Sequence, residues 1–269
     1  MGYLPKELEV LAAASPLPIH LQEAEVYTYD TKEFPFKEWV ARLLETEEEE
    51  LGQVHTTPTG RQELARGEEG RRYRNPWLWG SAQPSTRNDI RKGFNAVLRR
   101  FVEHFIAPRM AERDGEVAPV AYQRDVVLRV VLPDGKQHRS TELHCDGDFH
   151  HPPSEVNWWV PMTQTSAATN TMYLESRPGR GDFQPVELQY GQVLRFYGCL
   201  CQHYTPPNIS SSTRVSFDLR VVSLAHHSEG WRDRLGREGI HRMDSYYTRV
   251  GGQVVQQEQE VEQKQETLL

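Results

Sequence analysis

The spacing of apolar residues changes once along the chain, near Val117. Before that point, apolar residues recur every three or four positions, which is typical of amphipathic helices. After it, they form short runs rich in Val, Leu, Phe, Trp and Tyr, separated by Gly, Pro, Asp and Asn, which is typical of successive β-strands. Helices followed by strands predict an α+β fold, in which N-terminal helices buttress a β-sandwich or jelly roll.

Two amphipathic helices are predicted in the N-terminal part. The first lies within residues 35–50. The second begins with Thr86 as N-cap and Asp89 as a short version of the capping box, and it ends before Pro108. Between the helices, residues 55–74 are polar and aperiodic and predict a long loop. Two tryptophans just before the second helix are expected to anchor it rather than to cover a site: Trp77 and Trp79.

Six strands are predicted in the second part of the chain, at 126–132, 142–145, 155–161, 170–174, 192–197 and 214–222. A chain of 269 residues can bury one large core, so one domain is expected. Its predicted parts are an N-terminal helical layer, a β-core, a C-terminal helical extension and a disordered polar tail, at 1–116, 117–223, 224–250 and 251–269.

The composition argues against nucleic-acid and membrane partners. The formal net charge is −7, and most of it lies in residues 47–50 and the C-terminal tail, so no clustered basic surface is expected. The apolar run at 10–14 is too short for a secretion signal or a membrane span. Cys145, Cys199 and Cys201 form no even-numbered disulfide framework, so we expect them to be small buried residues in a reducing, cytoplasmic setting.

The densest group of metal-ligating residue types lies between residues 141 and 151. His144 and Asp146 offer an imidazole and a carboxylate beside a predicted strand end. They form two corners of a facial triad, which suits non-haem iron(II) because it leaves positions open for a co-substrate and oxygen. The third corner is predicted at His203, 203 − 144 = 59 residues further on, a separation that accommodates the intervening strands of a jelly roll.

The last predicted strand has one polar and one apolar face. Its polar face carries Arg214, Ser216, Asp218 and Arg220. A face this polar would be costly in a dry core, so it must meet a ligand, partner charges or, as the plainest alternative, solvent. Arg214 can pair with a carboxylate through two hydrogen bonds, and the Ser216 hydroxyl can complete the grip. Arg220 either clamps a substrate carboxylate or pairs with Asp218, and the sequence favours the pair.

These residues resemble a known family. The triad His144-x-Asp146 and His203, together with Arg214-x-Ser216, is similar to the motif of the iron(II)/2-oxoglutarate-dependent dioxygenases. The core of that family is a double-stranded β-helix of the jelly-roll or cupin-like type. Three longer runs resemble the oxygenases of streptomycin-type biosynthesis and, more loosely, the phytanoyl-CoA hydroxylase group: EVNWWVP at 155–161, ESRPG at 175–179 and RVSFDLR at 214–220. The resemblance covers residues 141–222 and leaves the N-terminal half unmatched.

The resemblance implies a role for each candidate. His144, Asp146 and His203 would bind Fe(II), while Arg214 and Ser216 would hold 2-oxoglutarate, which is converted with O2 to succinate and CO2. Halogenating members have a small residue in place of the carboxylate, so the presence of an aspartate implies hydroxylation or a related oxidation. The expected substrate is a small molecule, such as an amino acid or a biosynthetic intermediate.

Several alternatives stay open. Asp148, His150 and His151 could replace members of the triad, although they lie beyond the strand end. The Asn157 amide, which both donates and accepts, is expected to hydrogen-bond 2-oxoglutarate or substrate. A cupin-type metalloenzyme that does not use 2-oxoglutarate, or a non-catalytic jelly-roll binding module, would also fit the strand pattern. The sequence predicts no oligomeric state.

Overall fold

The structure is a computed structural model that describes residues 4–65, 75–111, 117–133, 141–167, 170–228, 230–232 and 241–250. It combines helices with antiparallel sheets, as the α+β prediction requires. The α-helices are α1 (Pro5–Ala13), α2 (Ile19–Gln22), α3 (Phe36–Leu43), α4 (Pro58–Ala65), α5 (Pro84–Phe101) and α6 (Ala107–Arg109). The other helical segments are the 3-10 helices Glu48–Thr56, Pro76–Leu78 and Asp146–Phe149, and a π-helical turn at Val102–Ile106.

Both predicted helices form, but their ends differ from the prediction. Helix α3 ends at Leu43 because Glu45 adopts a left-handed conformation with φ 55°, held by hydrogen bonds from Ser81 and Thr59 to its carboxylate. Helix α5 begins at Pro84 rather than after Thr86, because proline is pre-organised for the first helical position.

The prediction of a loop across residues 55–74 is wrong for its first half. Helix α4 occupies Pro58–Ala65, while residues 66–74 lie outside the described part. The Thr57 hydroxyl accepts a hydrogen bond from the Gly60 amide at 3.1 Å, the geometry of a helix N-cap. The pair Thr57-Pro58 therefore indicates the start of helix α4 in the sequence, although the apolar spacing of this segment does not.

The strands form two antiparallel sheets. The larger has the order β1-β8-β5-β10-β2-β11, with β3 also paired to β10, and the smaller has the order β4-β9-β6-β7. The strands are β1 (Glu25–Thr28), β2 (Val120–Gln123), β3 (Val127–Val131), β4 (Thr141–His144), β5 (Glu155–Pro161), β6 (Tyr173–Leu174), β7 (Gln184–Pro185), β8 (Gln192–Phe196), β9 (His203–Thr205), β10 (Arg214–Ser223) and β11 (Tyr247–Arg249).

All six predicted strands are present, although the one expected at 170–174 shortens to β6. Five strands were not predicted: β1, β2, β7, β9 and β11. The predicted C-terminal helical extension is wrong in its described part, where turns lead into β11. The predicted disordered tail at 251–269 lies outside the described residues.

The central strand β10 separates two environments. On its apolar face, the Phe217 ring contacts Phe36 of α3 and Phe94 of α5 at centroid distances of 5.0 and 5.3 Å. The opposite, polar face belongs to the same side of the sheet as Phe196, whose ring lies 5.3 Å from His203 of the smaller sheet. The helices therefore support the large sheet from outside, and its polar face points at the other sheet.

Close packing of α3 on α5 gives a stability test at Gly93. A Cβ atom there would lie 2.2 Å from the Trp39 ring, so an added methyl group must displace the indole. Although alanine is the better helix former, we expect Gly93→Ala to lower the free energy of unfolding by about 1–3 kcal/mol through overpacking. Lys92→Ala, on the exposed side of the same helix, is the control. Chemical denaturation measures both, and a stabilised Gly93→Ala would contradict the packing argument.

Candidate functional site

The structure brings His144, Asp146 and His203 together where the two sheets meet. His144 is the last residue of β4 and pairs directly with His203, the first residue of β9. Asp146 begins the 3-10 turn after β4, and its backbone amide donates to the Gly198 carbonyl at 2.8 Å. Sheet pairing thus joins two histidines that are far apart in the chain, and a backbone hydrogen bond fixes the carboxylate beside them.

The three side chains converge through one atom each. The Nε2 atoms of His144 and His203 lie 3.6 and 3.8 Å from Oδ1 of Asp146, and the three candidate ligand atoms lie within 4.8 Å of one another. The Nδ1 atoms face the carbonyls of Glu142 and Cys201 at 2.7 and 3.0 Å. Because a carbonyl only accepts, each Nδ1 carries the proton and each Nε2 keeps its lone pair for a metal ion.

The charge states of the cluster follow from its surroundings. Burial lowers the pKa of His203 to about 4, which keeps this imidazole neutral at pH 7. Burial also opposes ionisation of Asp146, but the Arg220 guanidinium and the neighbouring imidazoles outweigh it and hold its pKa well below the usual value. For His144, burial is outweighed by its interaction with Asp146 and the Glu142 carbonyl, so its pKa is raised.

The second oxygen of Asp146 points away from the histidines. Its Oδ2 accepts hydrogen bonds from Asn157 Nδ2 at 2.7 Å and from Arg220 Nε at 3.0 Å. Arg220 also pairs with Asp218 at 3.3 Å, which confirms the predicted ion pair, and approaches the Glu155 carboxylate at 3.5 Å. The structure therefore places Asn157 and Arg220 on the candidate metal ligand.

The polar face of β10 is buried rather than exposed to solvent. Arg214 is 2% exposed and Ser216 is fully buried, so the solvent-exposed alternative is wrong. Arg214 lines a cavity beside His144 and His203, and its Nη1 lies 3.4 Å from the Asn170 carbonyl. Among the residues that the structure describes, the Ser216 hydroxyl has no hydrogen-bond partner. The cavity measures about 30 Å³, enough for roughly two water molecules.

The other candidate ligands are placed elsewhere. Asp148 accepts a hydrogen bond from the Cys145 amide within the turn. His151 pairs with Glu155 at 3.0 Å, and its ring stacks on His241 at 3.8 Å. His150 adopts a left-handed conformation and lines a separate pocket. None of these three joins the cluster formed by the described residues.

Several contributors to the site were missed in the sequence. Arg129 of β3 lines the cavity and donates two hydrogen bonds to Asp218. Glu155 receives a hydrogen bond from Tyr247 of β11. The alternation of side chains along β3 and β5 predicts which residues share a sheet face with Arg129 and with Glu155. Only the pairing of these strands with β10 shows that this face is turned toward the site.

Two minor predictions are confirmed. The three cysteines are buried and free: Cys145, Cys199 and Cys201. Trp77 and Trp79 are buried, and the Trp77 ring contacts Phe94 of α5 at 5.1 Å, as an anchor of that helix should.

In the described part of the chain, no helix is long and apolar enough to cross a membrane.

The sequence is similar to that of a curated biosynthesis protein. No family model matches the chain. It is 33% identical over 135 residues to the streptomycin biosynthesis protein StrG of Streptomyces griseus, and the match covers 50% of this chain and 63% of StrG. The chain thus aligns with less than two thirds of that relative's length.

Solved structures with a related shape are distant. They include SnoN, a non-heme alpha ketoglutarate dependent epimerase from nogalamycin biosynthesis (15% identity, TM-score 0.46, covering 87% of this chain and 96% of SnoN). A second is SnoK, a carbocyclase from the same pathway (15%, 0.42, covering 83% and 87%). A third is the non-heme monooxygenase ThoJ in its nickel complex (14%, 0.44, covering 76% and 75%). At these TM-scores the likeness in shape is loose.

The lowered pKa of His203 predicts acid sensitivity of the metal-free protein. The pKa of an ordinary histidine is about 6.5, whereas burial lowers the pKa of His203 to about 4 in the folded chain. Its contribution to stability is therefore present above pH 6.5 and is lost as the pH falls toward 4. We expect this residue to contribute a loss of roughly 1 kcal/mol per pH unit across that window.

Urea denaturation of chelator-treated protein between pH 7 and pH 4 measures this slope. His203→Gln should make the pH dependence shallower by about one proton. His104→Gln, which changes an exposed histidine far along the chain, should leave it unchanged. An identical slope in native protein and His203→Gln would contradict the assignment.

Proposed function

We propose that this protein is a non-haem iron(II)- and 2-oxoglutarate-dependent oxygenase. The observation that carries the proposal is the convergence of two histidine Nε2 atoms and one carboxylate oxygen beside a buried polar strand face. Two imidazoles and one carboxylate with open positions suit iron(II). We further infer that the two sheets form a double-stranded β-helix, with residues 117–223 as the catalytic core and residues 1–116 as its supporting layer. Strand β1 from the supporting layer and strand β11 from the C-terminal part extend the large sheet beyond this core.

The residues present fit the metal and the co-substrate. His144, Asp146 and His203 would hold iron(II), and the bound pair of iron and 2-oxoglutarate would supply the oxidising chemistry, in which O2 is consumed and succinate and CO2 are released. Arg214 would pair with the distal carboxylate of 2-oxoglutarate. The Ser216 hydroxyl, buried and without a partner among the described residues, would donate to the same carboxylate.

The cavity is narrow, so the co-substrate needs side chains to move. Its volume of about 30 Å³ is smaller than a dicarboxylate requires, and its wall includes Met172 and Phe196, whose side chains must shift to admit one. Arg214 is only 2% exposed, so its guanidinium is largely shielded from bulk solvent. Shielding strengthens the attraction between the guanidinium and the incoming carboxylate, because the local dielectric constant is low.

A larger pocket adjoins the end of the 3-10 turn that carries Asp146, where His150 follows the turn. It measures about 460 Å³, a volume that suits a small molecule. His150, Trp231 and His241 line it, and His241 Nε2 lies 3.2 Å from the Phe149 carbonyl. The Phe149 ring in turn contacts His144 at 5.3 Å. We infer that this pocket holds the substrate, which the relation to a streptomycin biosynthesis protein suggests is a biosynthetic intermediate.

Anaerobic titration with iron(II) and 2-oxoglutarate tests the proposed function. The native chain should develop the weak visible charge-transfer band of the chelate. His203→Ala should abolish that band, because it removes a metal ligand. If the native chain gives no band, or if His203→Ala leaves the band unchanged, the assignment is wrong; a metalloenzyme without 2-oxoglutarate would bind the metal and give no band.

Arg214→Gln separates co-substrate binding from metal binding. Loss of a hydrogen-bonded charge pair should weaken 2-oxoglutarate binding by about 10- to 100-fold while iron(II) affinity stays near the native value. Arg195→Gln is the matched control, because Arg195 is equally buried but binds Tyr27 and Glu25 instead. Equal loss of both affinities in Arg214→Gln would show that the co-substrate lies elsewhere.

The substrate pocket has its own test. Metabolites are screened for stimulation of succinate production by the native enzyme. Trp231→Ala should then reduce stimulation by each active compound while the charge-transfer band remains, because Trp231 lines the pocket and lies outside the metal cluster. Unchanged stimulation in Trp231→Ala would place the substrate in a different part of the protein.

A further inference from the structure

The two carboxylate oxygens of Asp146 lie in different surroundings. Oδ1 faces the Nε2 atoms of His144 and His203. Oδ2 accepts hydrogen bonds from Asn157 at 2.7 Å and Arg220 at 3.0 Å. A carboxylate that turned both oxygens to a metal would occupy two coordination positions. With Oδ2 bound by two donors, only Oδ1 is available, so a position stays open for a co-substrate or oxygen.

The backbone at Gly198 makes this arrangement possible. A Cβ atom at this position would lie 2.6 Å from Cγ of Asn157, so any larger residue would push the amide away. The carbonyl of the same glycine accepts the Asp146 backbone N–H at 2.8 Å. Gly198 therefore fixes the Asp146 backbone and admits the Asn157 side chain that holds its carboxylate.

Arg220 is held from its far side. Its Nη1 donates to Asp218 Oδ2 at 3.3 Å and to Gln123 Oε1 at 3.4 Å, so Nε points at Asp146. The register of the large sheet places Asn157 directly opposite Arg220 on the neighbouring strand. The two donors therefore reach the same oxygen from adjacent strands.

We propose that Asn157 and Arg220 are positioning residues that bind Oδ2 of Asp146 and so present Oδ1 alone to the metal. This inference rests on the proposed function. It differs from the expectation that Asn157 contacts 2-oxoglutarate, because a positioning residue acts on the metal site before any co-substrate binds. It also gives Gly198 a role, as the residue whose lack of a side chain sets the position of the amide.

The test uses Asn157 and Gly198 rather than Arg220. Arg220 neutralises several buried carboxylates, and its loss would endanger the fold. Asn157→Ala removes one donor to Oδ2, and Gly198→Ala leaves every donor present but displaces the amide. Asn208→Ala is the matched control: Asn208 is as buried as Asn157, and its amide donates to Val131 and Ser212 instead.

The primary measurement is the binding of Mn(II) in the absence of 2-oxoglutarate. The electron paramagnetic resonance signal of the free ion monitors this binding. Asn157→Ala should weaken Mn(II) binding by about 10- to 100-fold, the range for removal of a partner of a metal ligand. Gly198→Ala should weaken it in the same direction, and Asn208→Ala should bind as the native protein does. The visible spectrum of Co(II) in the site should change in Asn157→Ala, because the carboxylate reorients, and should keep its native form in Asn208→Ala.

The outcomes separate the inference from the proposed function. If the native chain binds Mn(II) and 2-oxoglutarate but Asn157→Ala matches the Asn208→Ala control, the positioning role is wrong and the oxygenase assignment stands. Native Mn(II) affinity in Asn157→Ala combined with weaker 2-oxoglutarate binding would also overturn it, in favour of direct contact with the co-substrate. If the native chain binds no Mn(II), both fall together.

Discussion

The ion pair between Arg220 and Asp146 is the interaction on which the rest of the site depends. Both side chains are buried, and the guanidinium also approaches Asp218 and Glu155. Taking these charges out of water is costly, and removing one partner from such a pair typically costs about 3–5 kcal/mol. Additional hydrogen bonds offset this desolvation cost. Arg129 donates to Asp218, while His151 and Tyr247 donate to Glu155, so each carboxylate has several partners. The same contacts link the candidate metal ligand to β3, β5, β10 and β11.

Strand β10 shows why a polar network can persist inside this fold. Its apolar face contributes Phe217 to an aromatic cluster with Phe36 and Phe94, which secures the strand against the helical layer. The opposite face can then hold charged residues without having to supply the main hydrophobic contacts. Stability and chemistry are thus divided between the two faces of one strand, which follows from the two-residue repeat of β-structure.

The sequence predicted the candidate site better than its supporting contacts. His144, Asp146 and His203 could be picked out because the first two lie two residues apart at a predicted strand end, and the third follows the strand predicted at 192–197. The Arg220–Asp218 pair could be predicted because residues two apart on a strand share a face. The pairing of Asn157 with Arg220 could not, since it depends on the register between β5 and β10, which the spacing of residues along one strand does not specify.

The contact between Glu155 and Tyr247 could not be predicted from the sequence either. These residues lie in distant parts of the chain and meet only because β11 joins the large sheet beside β2.

The members of the triad are oriented by two different kinds of contact. The two histidines are oriented by the backbone carbonyls of Glu142 and Cys201, which almost any residue could supply. Asp146 is oriented by the side chains of Asn157 and Arg220, which only particular residues supply. Substitutions at 157, 198 or 220 would therefore act directly on the carboxylate, while the two histidines would keep their backbone partners.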